Sequence, residues 1–109
     1  MTTISTPKSL KLLMITAVRE DEKIIKEAFK QVDVPVYSSF EIEGHQAKPE
    51  GKAITSWFAM PQPNMDASVY FAFIPAEMAE QVVEIIKKAN VEHAAHPIRS
   101  FMLDAMQFS

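Results

Sequence analysis

Apolar residues along this chain switch between a two-residue and a 3.6-residue period, and the switch happens twice. Leu10 to Val18 (LKLLMITAV) is a short apolar run, interrupted by Thr16, that reads as a buried strand. Glu20 to Val32 carries Ile24, Ile25, Ala28, Phe29 and Val32 at helical spacing. Lys23, Lys26, Glu27, Lys30 and Gln31 fall mainly on the other side, so the segment is an amphipathic helix. Asp33-Val34-Pro35 ends it, because the residue before a proline avoids the helical region. Val36 to Glu43 alternates again, with Val36, Ser38, Phe40 and Ile42 on one face of a half-buried strand.

The second half repeats the order without repeating the sequence. Gly44 to Ala53 (GHQAKPEGKA) is polar, aperiodic and holds both glycines, which predicts a mobile loop. Ile54 to Met60 can pair as a strand or hairpin arm, and Pro61-Gln62-Pro63-Asn64 reads as a turn. Ser68 to Ile74 is a buried strand. Pro75 opens a second helix, with Met78, Val82, Ile85, Ile86 and Ala89 as its apolar stripe and Asn90 as its expected cap. After a connector, Val91 to Pro97, the last strand runs from Ile98 to Phe108. It places Phe101, Leu103 and Ala105 on one face and Met102, Met106 and Phe108 on the other.

Strand, helix, strand, strand, helix, strand is the order of an α+β, ferredoxin-like βαββαβ sandwich. Its four-stranded antiparallel sheet carries two helices on one face. A sheet whose second face met water would alternate apolar and polar residues. The last strand here is apolar on both faces, and the first nearly so. The second face therefore predicts burial against another subunit, the competing arrangement being a C-terminal strand folded back on its own domain.

Totals narrow the function. The 109 residues fit a single domain, 1–109, behind a loose polar leader at 1–9. A hydrophobic content of 48% supports a packed core. The net charge of −3 argues against broad nucleic-acid or lipid binding. With no cysteine, disulfides, zinc thiolates, iron–sulfur clusters and thiol catalysis are excluded. No apolar run approaches the roughly 20 residues that span a bilayer, and the first run makes a poor signal peptide, so the expected location is the cytoplasm without membrane insertion. Gly-x-Ser-x-Gly, P-loop and His-Glu-x-x-His motifs are missing, which points away from an enzyme.

Several residues could carry chemistry. His93 and His96, with Glu92 beside them, flank the connector, and His45 starts the loop; together they form a candidate divalent-metal site. Their loose spacing fits polar surface residues better. The seven methionines read mainly as core filler, although Met60 and Met65 flank the proline turn. Trp57 suits stacking on a ligand or packing at a subunit interface. Arg99 is the best single anion-binding candidate, with pairing to Glu41 or Asp104 as the plainer role. Glu20-Asp21-Glu22 is a carboxylate cluster of the kind helix starts favour.

In their order and spacing, three stretches resemble the P-II-like superfamily of signalling proteins, which includes the CutA-type divalent-ion tolerance proteins. Glu41-Ile42-Glu43-Gly44 is similar to the strand end before that family's long loop. Ser68 to Lys88 is similar to its third strand, helix-opening proline and second helix, and Phe101 to Ala105 to its final strand. The resemblance spans Leu10 to Phe108. It implies a homotrimer with sheets facing inward and ligand clefts between subunits. Each cleft would be built from the loop base (Glu43, Gly44, His45) and the connector before the last strand. Family nucleotide sites use a glycine-rich loop start, a glycine-lysine connector and arginines on or beyond the last strand. Here His45-Gln46-Ala47 follows Gly44, the connector has neither glycine nor lysine, and Gln107 falls near a family arginine. Phosphates need nests of N–H groups and paired cations, so these departures argue against ordinary adenine-nucleotide binding. Three readings stay open. One is a P-II-like regulatory module that signals through its loop to a protein partner such as a membrane transporter. The others are a CutA-like metal-binding protein and a small ferredoxin-like enzyme.

Overall fold

The computed structural model describes residues 8–43, 66–92 and 96–109. The expected loop at 44–53, the arm at 54–60 and the turn at 61–64 lie outside the described residues. Strand β1 is Lys8–Val18 and starts two residues earlier than its apolar run. A single 3-10 turn, Arg19–Asp21, leads into α1, Glu22–Val32. Then come β2 (Ser38–Glu43), β3 (Asp66–Ile74), α2 (Ala76–Glu92) and β4 (Arg99–Gln107).

All neighbours pair antiparallel in the order β2-β3-β1-β4. The first and third strands are therefore central, while β2 and β4 form the edges. Both helices pack on one face. Leu13, Ile15 and Ala17 of β1 and Tyr70, Ala72 and Ile74 of β3 meet Ile25, Ala28 and Phe29 of α1 and Ala79, Val82 and Ile86 of α2. This is the expected α+β sandwich, and each helix buries the stripe its spacing predicts.

The helix ends depart from the sequence reading. α1 stops because Asp33 takes a left-handed conformation (φ 61°, ψ 41°), which short polar side chains tolerate. The Asp33 N–H donates to the Lys30 carbonyl at 3.1 Å, and the Val34 N–H to Phe29 at 3.0 Å. The proline at 35 follows that stop and does not cause it. At α2, the Pro75 carbonyl accepts the first helical bond from the Ala79 N–H at 3.0 Å, as a proline start requires. Asn90 is not the expected cap, since α2 runs on to Glu92. Its amide instead clamps Ile98, accepting from the backbone N–H at 2.7 Å and donating to the carbonyl at 2.9 Å. The clamp ties the end of α2 to the residue before β4.

Among the described residues no helix packs on the opposite sheet face. Pleating puts Leu10, Leu12 and Met14 of β1, Phe71 and Phe73 of β3, Phe40 of β2, and Phe101 and Leu103 of β4 on it. Phe71 packs edge-on against both Phe40 and Phe73. Phe73 is 56% exposed, Leu103 50% and Phe40 49%. β4 lies flat in the sheet and does not fold back over this face. The helices also stop short of β4 on their own side, leaving Met102 and Met106 exposed.

Two outcomes test this packing. Asn90→Ala removes both bonds of the clamp and is expected to cost about 1–3 kcal/mol in urea unfolding. On the helix side, Tyr70 stacks with Phe29 and Tyr37. Burial pushes its phenol up from the ordinary value, and Glu22 and Tyr37 push the same way. The folded state thus holds this proton more firmly than the unfolded chain. The associated stability is complete below about pH 10 and is lost as pH rises through the raised value. Tyr70→Phe is expected to flatten that alkaline loss, read from unfolding midpoints on either side of about pH 10.

Candidate functional site

Three of the expected site residues can be placed. Glu43 ends β2, opposite Asp66 on β3, and its side chain has a partner. His96 sits half-buried in the connector. Arg99 opens β4. Gly44, His45, Trp57 and His93 lie outside the described residues.

Register shows how the placed residues relate. β1 and β3 pair Val18 with Ala67 and Thr16 with Val69; β2 joins through Ile42 and Phe40, and β4 through Arg99 opposite Thr16. Glu43 and Arg99 are therefore near the same end of the sheet but on opposite edges. Three inter-strand spacings separate those edges, about 14 Å. One chain does not bring the loop base and the connector around one small ligand.

The connector is anchored from below. Asp21 is buried at 2% exposure, and its Oδ2 accepts from the His96 backbone N–H at 3.0 Å. An acid at a helix start reads from sequence as a dipole partner, yet no side-chain cap bond forms here. This carboxylate reaches 75 residues along the chain and fixes the approach to β4. Next to it, the Ser68 hydroxyl donates to the Glu22 carboxylate, tying β3 to the first turn of α1. Asp21 of the acidic cluster thus holds the connector and Glu22 ties α1 to β3, neither of which the sequence revealed.

Arg99 does not take the plainer role either. Glu41 faces Arg19 at 3.6 Å, and Asp104 forms an ion pair with its cross-strand neighbour Lys11. The cause is pleating: Glu41 and Asp104 point to the helix side of the sheet and Arg99 to the other. The Arg99 Nε and the Thr16 Oγ1 are buried and have no hydrogen-bond partner. Charge marks the arginine in the sequence. Thr16 is marked there only as an interruption of an apolar run, which is the one signal that could have found it.

Among the described residues, no group of three or more His, Asp or Glu side chains is arranged to hold a metal ion. His96, the one histidine that can be placed, is held through its backbone. A groove of about 740 Å³ between the outer sides of α1 and α2 is lined by Glu92 but by none of Glu43, His96 and Arg99. Among the described residues no helix is long and apolar enough to cross a membrane.

No protein-family model matches the chain, and no curated protein matches it in sequence. Solved structures do match. One is CPII, a nitrogen regulatory PII-like protein from Thiomonas intermedia K12, bound to ADP, AMP and bicarbonate. It is 14% identical, with a TM-score of 0.67 over 93% of this chain and 94% of that one. The same protein bound to ADP and bicarbonate is 16% identical and aligns at 0.67 over 98% and 95%. A PII-like signalling protein from Thermus thermophilus is 14% identical and aligns at 0.66 over 94% and 92%. The TM-scores over more than nine-tenths of both chains show that this chain has the fold of these PII-like proteins.

Proposed function

We propose that this chain is a PII-like regulatory module that binds a small anionic ligand between copies of itself and is not an enzyme. The observation that carries the reading is the split of the site. The loop base at Glu43 and the arginine at 99 sit on opposite sheet edges, and the sheet between them presents an apolar face. Folded monomers rarely expose an apolar surface of this extent. Packing that face against sister copies buries it and brings one copy's loop base toward the next copy's connector. A homotrimer, the closed arrangement implied by the family resemblance, satisfies both needs.

Adenine nucleotides return as the first candidate ligands. The departures from the family motif argued against them, but CPII structures with ADP and AMP share this fold at 14% and 16% identity. At that distance a glycine-lysine connector has room to change while the cleft is kept. Arg99 would then supply phosphate-facing charge from the start of β4. The output would be a changed affinity for a protein partner, which requires the ligand to bind one state of the 44–53 segment better than the other. The metal-binding reading has no supporting observation among the described residues, and the enzyme reading has no placed catalytic group.

Sedimentation velocity should show a trimer at micromolar protein, and a stable monomer would overturn the shared cleft. Calorimetric titration with ADP and AMP should show saturable binding that Arg99→Met weakens by about tenfold, the effect of losing one charge-assisted contact worth about 1.4 kcal/mol. Equal binding by both proteins would remove Arg99 from the site.

A further inference from the structure

A second groove continues the one between α1 and α2. The first, about 740 Å³, lies over the start of α1 and the end of α2. The next, about 610 Å³, lies over the end of α1 and the start of α2. The two share Gln31 and Ile85, so they form one open channel along the seam of the helices. Its length follows α2, whose 17 residues span about 25 Å. Ile24, Val32 and Ile85 supply an apolar floor; they pack against the core but are only partly buried.

Charge is sorted along this channel. The first lobe mixes signs, with Lys23 and Lys88 beside Glu20, Glu27 and Glu92. The second carries Glu77, Glu80 and Glu84, all exposed, and no lysine or arginine lines it. The helix dipole accounts for Glu77, which lies in the first turn of α2, but not for the other two. Glu80 stands three residues from Glu77 and four from Glu84, spacings at which like charges weaken a helix. Lys87, outside the lobe, reaches Glu84 at 3.5 Å. Among the described residues no ion pair forms at Glu77 or Glu80. The stripe therefore opposes the helix that carries it, and a cation brought from outside removes the conflict.

We propose that this channel docks a basic amphipathic helix of a partner protein, about 15 residues long. The apolar stripe of that helix lies on Ile24, Val32 and Ile85. Its lysines or arginines gather at the end over Glu77 and Glu80, and this polarity fixes the direction in which it lies. A small molecule leaves most of so long and open a channel unfilled. Nucleic acid and anionic lipid are repelled by the glutamate lobe. The helices cover the side of the sheet opposite its apolar face, so docking here competes neither with assembly of copies nor with a ligand between them. The inference goes beyond the ligand reading and does not depend on it.

The test uses the full-length protein and a synthetic, fluorescein-labelled helix of that length, with a leucine stripe and lysines confined to one end. One control peptide carries glutamate in place of lysine, and another has the same residues in scrambled order. Fluorescence anisotropy should show saturable binding of the lysine peptide alone, weakened by added sodium chloride. Glu77→Lys with Glu80→Lys should weaken that binding about tenfold and let the glutamate peptide bind instead, a gain that misfolding cannot produce. Ile85→Ala should weaken both pairings. No saturable binding of the lysine peptide overturns the proposal, as does binding that the charge reversal leaves unchanged. A reversal that alters the sedimentation of the protein without peptide also overturns it, because the channel is then an interface between copies. ADP titrated into the same samples keeps the two readings apart. Failure of ADP to bind leaves the channel standing, and failure of the peptide leaves the ligand cleft standing.

Discussion

Everything in this structure hangs on the antiparallel register of β1 with its two neighbours. β1 lies between β3 and β4, so each of its side chains heads a row that continues across the sheet. Odd-numbered residues of β1 enter the helix-covered core and even-numbered residues meet the other face. A slip of one residue would send Leu13 and Ile15 outward and bring Thr16 under the helices. The aromatic and aliphatic packing of Ile25, Phe29, Val82 and Ile86 against the odd set opposes that slip strongly.

The same parity sorts charge. Carboxylates at 41, 43, 66 and 104 share the helix side, where Arg19 and Lys11 answer two of them. Arg99 goes to the other side with apolar neighbours. A residue that looks from sequence like half of a surface ion pair becomes a cation separated from those partners by the thickness of a sheet. Edge placement works in a similar way. Because β2 and β4 form opposite edges, Glu43 and Arg99 are divided within one chain, with an apolar face between them.

The connector before β4 shows how such a site is positioned. Asn90 clamps Ile98, and Asp21 holds His96, so both ends of a short irregular stretch are tied by side chains from helical segments. Each bond satisfies a backbone group that neither helix nor sheet would serve. Neither residue advertises this in sequence. Asparagine near a helix end and aspartate at a helix start both have commoner local uses as caps, and only long-range folding redirects them.

Periodicity alone determined the order of elements, the faces of both helices, the pairing faces of the last strand and the excess of apolar surface. These follow from burial acting on local geometry, which repeats every 2 or 3.6 residues and is written along the chain. Tertiary structure alone decided which strands became edges, what Asp21 and Asn90 bind, and that Arg99 stands beside Thr16 rather than Glu41 or Asp104. Those outcomes depend on pairings between residues tens of positions apart, and a linear pattern carries no distance between them.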